Sequence, residues 1–316
     1  MTQHRHKDSR GLWTTYAIDP SGFATKADLD ALAARVAALE PTAPPPTTGK
    51  SILFAGTAPQ LNALVADQTI DIINFAPKTY SGFSSYIRQQ RTRPLRINMG
   101  PGVIFDGGTA GVFHLGTLNG STAIPMPGVP TAPTTDITLD FTGSVIQNYR
   151  LGQDGIIQTG WVERLTFIHP TIRTTTGITG GGGNYNQSHA LYCESDQNHR
   201  SVDIKAIDWD VSANKTINGV QTYHNPCVNG LLVKGGTWLG LNRFALLYGD
   251  ALNITVDGAT ITNCNATIDA ANSPTTGDQA AGVIKNTHAT GSGPLAPGLG
   301  LWYSTKLLDG GGNTSS

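Results

Sequence analysis

Glutamate is nearly missing from this chain, with Glu40, Glu163 and Glu194 its three examples among 316 residues. Charged side chains make up 14% of the sequence and the formal net charge is −1. Such a chain has no field to draw in DNA, RNA or an anionic membrane, so nucleic-acid binding is disfavoured. No apolar run approaches the roughly twenty residues that span a bilayer, and no membrane insertion is expected. Residues 1–30 lack the apolar core of a secretory signal, so the expectation is synthesis in the cytoplasm without export. The cysteines, Cys193, Cys227 and Cys264, fall at irregular spacing with no C-x-x-C or Cys/His grouping of zinc type. They read as reduced residues at or near strands. No metal and no cofactor is implied. Beyond the N-terminus there is no long amphipathic helical pattern, whereas glycine is plentiful at 38 residues, which predicts many turns and few helices.

What the sequence does contain is a spacing. Apolar residues recur at positions X, X+2 and X+7 in Leu139/Phe141/Ile146, Leu165/Phe167/Ile172, Val202/Ile204/Trp209, Leu231/Val233/Trp238 and Ile254/Val256/Ile261. All of these positions are apolar in a chain that is 39% hydrophobic. Period-2 spacing puts X and X+2 on one face of a strand. The X+5 residue is small or apolar each time (Ser144, Pro170, Ile207, Gly236, Ala259), as in a tight corner. Starts lie 26, 37, 29 and 23 residues apart, and a repeat of that length built of short strands marks a solenoid. The predicted fold is all-β, a right-handed parallel β-helix over residues 51–290. This register places Asp140, Thr166, Asp203, Leu232 and Thr255 outward at X+1, and Val145, Thr171, Asp208, Thr237 and Thr260 outward at X+6.

Upstream of it the chain changes character. Residues 25–40 carry Leu29, Leu32, Val36 and Leu39 at alternating spacings of three and four, an a/d seam on an Ala-rich helix that Glu40-Pro41 ends. This predicts a short coiled-coil helix for self-association, with a trimer the first choice of state. Residues 41–50 form a Pro-rich spacer. Residues 1–24 are polar but hold Trp13 and Tyr16, which favours a segment that docks on a partner over a disordered lead. The short pattern around Leu61 and Leu64 predicts a helix that covers the first coil. Residues 291–316 hold Leu299, Leu301, Trp302, Tyr303, Leu307 and Leu308, a C-terminal cap, and finish in a flexible GGGNTSS.

The run TIDIINFAPKTYSGF…RPLRINMGPGVIFDGG resembles the first coils of pectate-lyase-like parallel β-helix proteins. Preceded by a coiled-coil seam and a Pro-rich spacer, it resembles the β-helical tail spikes and minor tail proteins of tailed bacteriophages. The resemblance implies a virion protein, a homotrimer fixed to other tail or baseplate proteins by its N-terminus and presenting its β-helix to host cell-surface polysaccharide. The runner-up reading is a tail spike that hydrolyses or eliminates that polysaccharide. The missing export signal argues against a third reading, a cellular adhesin.

Glycan cleavage needs two carboxyl groups at defined separation, one of them kept protonated. The densest polar group in the body is Tyr192–Arg200, which brings Glu194, Asp196, His199 and Arg200 close in sequence to Asp203 and Asp208. Glu194, Asp196, Asp203 and Asp208 are therefore the catalytic candidates, against the simpler reading of a solvated surface network. The paired motifs of polygalacturonases and pectate lyases do not occur, and the balance falls on a protein that is not an enzyme. Glycan binding calls for aromatic faces beside polar groups. Trp209 and Trp238 read as core residues, which leaves Trp161, Tyr185, Asn186, Tyr192, Tyr223 and His224, in the excursions from the coils, as binding candidates.

Overall fold

The computed structural model of the chain describes residues 3–7, 13–17, 49–116, 133–149, 155–173, 188–194, 199–223, 227–248, 251–271, 280–292 and 306–316. The chain divides into two units, residues 1–48 and 49–316. In the first, Gln3–Lys7 and Trp13–Ala17 pair antiparallel with Lys7 opposite Trp13, so both aromatics of the predicted docking segment stand on a strand. The seam residues Leu29, Leu32, Val36 and Leu39 lie outside the described residues.

Among the described residues the second unit is mostly strand, arranged in three sheets of ten, nine and seven strands. Each complete turn gives one strand to each sheet in order. Val228–Lys234, Thr237–Leu239 and Arg243–Tyr248 are followed by Leu252–Asp257, Thr260–Thr262 and Ala266–Ala271. Successive turns pair in parallel, with Leu231 beside Ile254, Trp238 beside Ile261 and Ala245 beside Ile268. Parallel sheets stacked turn on turn around one interior are consistent with a parallel β-helix. Ten strands at the usual inter-strand spacing rise roughly 43 Å. The sheets also continue past residue 290, where Leu307–Asp309 and Thr314–Ser315 each add a strand.

Pairing corrects the register at two places. Leu165, Ile204, Leu231 and Ile254 stand side by side, as do Phe167, Ala206, Val233 and Val256, and then Ile172, Val211, Trp238 and Ile261. The X, X+2, X+7 spacing holds, but the third set is Ile204/Ala206/Val211 and not Val202/Ile204/Trp209. Val202 is 38% exposed. The first set is Ile137/Leu139/Ile146, which departs from that spacing at X, X+2 and X+9, with Phe141 buried in the corner between strands. Ala206 is too weakly apolar to compete with Trp209 in a pattern search, although it is fully buried. The outward rows shift accordingly. Lys205, not Asp203, lies between Thr166 and Leu232, and Asp210, not Asp208, lies between Thr171 and Thr237. Trp209 at the corner and Trp238 on its strand still stack inside, with ring centroids 5.9 Å apart and planes within 13°.

Corners between the first and second sheets need left-handed backbone, which Asp208, Gly235, Gly236, Gly258 and Asn286 supply. Gly236 is the most constrained, since a Cβ there meets the Trp209 carbonyl oxygen at 2.4 Å and its φ is +86°. At the other end of the stack the helix Ala58–Ala66 buries Leu61 and Val65 in the common core. The carbonyls of its last turn, its C-cap and the start of the next strand are gathered by the buried Arg91. One terminal nitrogen of that guanidinium donates to Val65 O at 2.7 Å and Asp67 O at 3.0 Å, and the other donates to Ile70 O at 2.6 Å. A single charged side chain thus replaces the water that a helix end otherwise requires.

Two substitutions test this account. Arg91→Leu leaves those carbonyls buried without donors and is expected to cost about 3 kcal/mol or more in a denaturant melt. Gly236→Ala combines left-handed strain with a backbone clash and is expected to cost at least about 2 kcal/mol. Unchanged midpoints in both would contradict the cap and the corner.

Candidate functional site

The chemistry-bearing residues gather where the third sheet hands the chain back to the first. In one turn, strand Gly155–Thr159 passes through Gly160 and Trp161 into strand Val162–Ile168. In the next, Ser188–Cys193 and Glu194 lead, beyond residues 195–198, to His199, Arg200 and strand Ser201–Ile207. Backbone bonds lock the two turns together. Glu194 N–H donates to Thr159 O at 2.8 Å, and Tyr223 N–H of the following turn donates to Cys193 O at 3.0 Å. The buried hydroxyl of Ser201 adds a staple by donating to Gly160 O.

On this frame Trp161 and His199 stack face to face, with ring centroids 3.7 Å apart and planes within 8°. Trp161 is half-buried and His199 exposed, so the pair forms an aromatic rim. Beside it the carboxylate of Glu194, 8% exposed, accepts a hydrogen bond from Gln158 Nε2 at 2.7 Å. Tyr192 is buried within its strand, not held on an excursion as the sequence implied, and its ring lies 6.5 Å from that of the half-buried Tyr223. Strands of the third sheet are buried on both faces. Ile157, Leu191 and Val220 join the core, and alternation sends Gln158, Tyr192 and Gln221 to the opposite face.

The remaining predicted carboxylates do not join this group. Asp203 bonds Lys205 at 3.2 Å, and Asp208 bonds His169 at 3.2 Å at the corner between the first and second sheets. Five residues of extended chain separate them by about 16 Å, beyond the roughly 5–10 Å over which two carboxyl groups cooperate on a glycosidic bond. Asp196, Tyr185, Asn186 and His224 lie outside the described residues. Among the described residues no group of three His, Cys, Asp or Glu side chains is placed to hold a metal ion.

Sequence reading passed over the buried polar residues of the third sheet. Gln158 and Gln221 sit in the matching segments Ile157-Gln158-Thr159 and Val220-Gln221-Thr222, a recurrence that marks the row once the strands are aligned. His189 is buried one turn from Asn218, whose side-chain nitrogen lies 3.2 Å from His189 Nδ1. Burial, and secondarily the charge of Arg243, hold the His189 pKa down at about 3. Burial likewise pushes the Cys193 thiol up to about 12, so it is an inert core group and not a nucleophile. None of the three cysteines forms a disulfide, and all are buried.

The depressed His189 value carries a pH dependence of known sign. The unfolded imidazole takes up its proton near pH 6.5 while the folded one resists to about pH 3. Its contribution is therefore complete above pH 6.5 and lost as pH falls through that window, at up to about 1.4 kcal/mol per pH unit. Thermal melts from pH 7 to pH 4.5 should show a shallower slope for His189→Gln than for the parent chain, and parallel slopes would rule His189 out.

No protein-family model matches the chain, and no curated protein matches it.

Proposed function

We propose that the chain is a non-catalytic structural and receptor-binding component of a bacteriophage tail, a minor tail protein or tail fibre whose β-helix contacts host cell-surface glycan. The observation that carries the contact is the Trp161–His199 stack beside the Glu194–Gln158 pair on a rigid corner. A flat aromatic face next to fixed hydrogen-bonding groups is the arrangement that sugar rings require. The tail assignment rests on the resemblance of the coils and on the helical seam ahead of them. In this reading the β-helix is right-handed, as parallel crossovers within one sheet almost always are. Residues 25–40 assemble three copies and residues 1–24 dock on neighbouring tail or baseplate proteins, which places the chain in the virion. Ion pairing of Asp203 and Asp208, and their separation, favour binding over a depolymerase.

Purified protein incubated with host envelope polysaccharide should bind it without releasing new reducing ends or unsaturated uronates. Trp161→Ala should weaken that binding about tenfold through loss of stacking. Product formation abolished by Glu194→Gln would establish the depolymerase instead. Light scattering tests assembly, since the full chain should be trimeric and a truncated chain beginning at Lys50 monomeric. A monomer in both cases would end the self-association reading.

A further inference from the structure

The segment entering the helix Ala58–Ala66 faces strand Thr79–Ser81 and the corner after it across an open cavity of about 320 Å³. That is the size of a small-molecule site and far more than a single ion fills. Among the described residues Lys78 is the one charged side chain lining it, and no carboxylate does. Its Nζ is fixed in place, donating to Ala55 O and standing 4.6 Å from the centroid of the Tyr80 ring. An ammonium has three N–H donors. Ala55 takes one, and Lys78 makes no ion pair among the described residues, which leaves the others for a ligand. The helix adds to this charge, since its positive end opens on the cavity at Thr57 and Ala58 and its first turn holds no acidic residue. Thr57, Thr79, Ser81 and Ser84 contribute hydroxyls, and that of Ser84 is buried with no hydrogen-bond partner. Asp106, opposite Ser81 on the next strand, lies outside the lining and is engaged by the amides of Gln147 and Asn148.

We propose that this cavity binds one acidic sugar residue, with its anionic group on Lys78 Nζ and its hydroxyls on the threonine and serine side chains. A lone cation beside a helix start, with no acid lining the cavity to neutralise either, selects an anion, and charge-assisted bonds to it are roughly twice as strong as neutral ones. Size and lining select the rest of the ligand. A bare phosphate or carboxylate leaves most of the cavity to water, whereas a sugar ring carries hydroxyls on several sides to meet those of the lining. Ser84 Oγ finds in such a ligand the partner that the protein does not supply, which removes a desolvation cost. The carboxylate of a uronic acid and the phosphate of a sugar phosphate share this chemistry. The cavity lies on the first coil, on other residues than the Trp161–His199 rim, and its binding is independent of that rim.

Titration calorimetry of the full chain at low salt, with millimolar glucuronate, glucose 6-phosphate, glucose and inorganic phosphate, tests it. At least one acidic sugar should bind, with glucose and inorganic phosphate each at least about tenfold weaker. Binding of glucuronate alone assigns a uronic acid, and binding of glucose 6-phosphate alone assigns a sugar phosphate. Lys78→Gln should weaken that binding at least about tenfold. Ser84→Ala removes a hydroxyl that has no partner in the protein, so it should bind several-fold more weakly while melting at or above the parental temperature. No binding of either acidic sugar, glucose or phosphate bound as tightly as they are, or parental affinity in Lys78→Gln would each overturn the proposal. If Lys78→Gln melts early, Ser84→Ala decides, and parental affinity there overturns the site.

Discussion

Parallel strands cannot satisfy their own backbone. Every N–H and C=O in the three sheets must find a partner one turn above or below, so each turn has to return at the right height and in the right register. That one constraint organises the rest of the second unit. It explains why inward side chains form continuous columns, such as Phe167, Ala206, Val233 and Val256, and why a bulky residue in one turn is matched by a small one nearby. It also explains the corners. A chain that turns sharply at the same place in each coil needs left-handed residues there, and aspartate, asparagine and glycine are the residues that tolerate the conformation.

The same constraint makes the ends of the stack expensive. At the first coil the cost is met by one helix and one buried cation, since Arg91 turns carbonyls that would face a dry interior into acceptors of charge-assisted bonds. Along the flanks, rows of like charge are avoided by interleaving. Lys234, Asp257 and Lys285 alternate in sign on successive strands, and Lys285 bonds Asp257 at 3.3 Å. Charges one strand spacing apart repel when alike, so a stacked fold with few charged residues can hold them only in alternation or apart.

Much of this was legible in the sequence, because the period-2 pattern reports burial directly. Leu165/Phe167/Ile172, Leu231/Val233/Trp238 and Ile254/Val256/Ile261 were found in correct register since each is strongly apolar. The third set slipped by two residues because Val202 outranks Ala206 in hydrophobicity, although the alanine is the core residue and the valine faces solvent. The amide row was invisible for a related reason. Periodicity scores glutamine as outward and therefore exposed, whereas the third sheet buries its outward face too, so Gln158 and Gln221 are polar and inaccessible together. The aromatic rim was half legible. Trp161 stood out by its residue type, but its partner His199 comes from the next turn, 38 positions along the chain, and only pairing brings the rings together.

Rigid columns suit recognition better than acid–base chemistry. A solenoid holds equivalent side chains about 4.8 Å apart on neighbouring strands, so two carboxyl groups are close enough to cooperate where they occupy the same row on adjacent turns or alternate positions of one strand. Asp203 faces glycine across one such row, at Gly230, and Asp208 faces Gly235 across another, so neither stands next to a second acid on the turn that follows. Rows that mix amides, phenols and threonines have no such need for a raised pKa. They need donors and acceptors held at fixed spacing, which the backbone ladder supplies without further adjustment, and the third sheet of this chain places just those groups beside an aromatic rim.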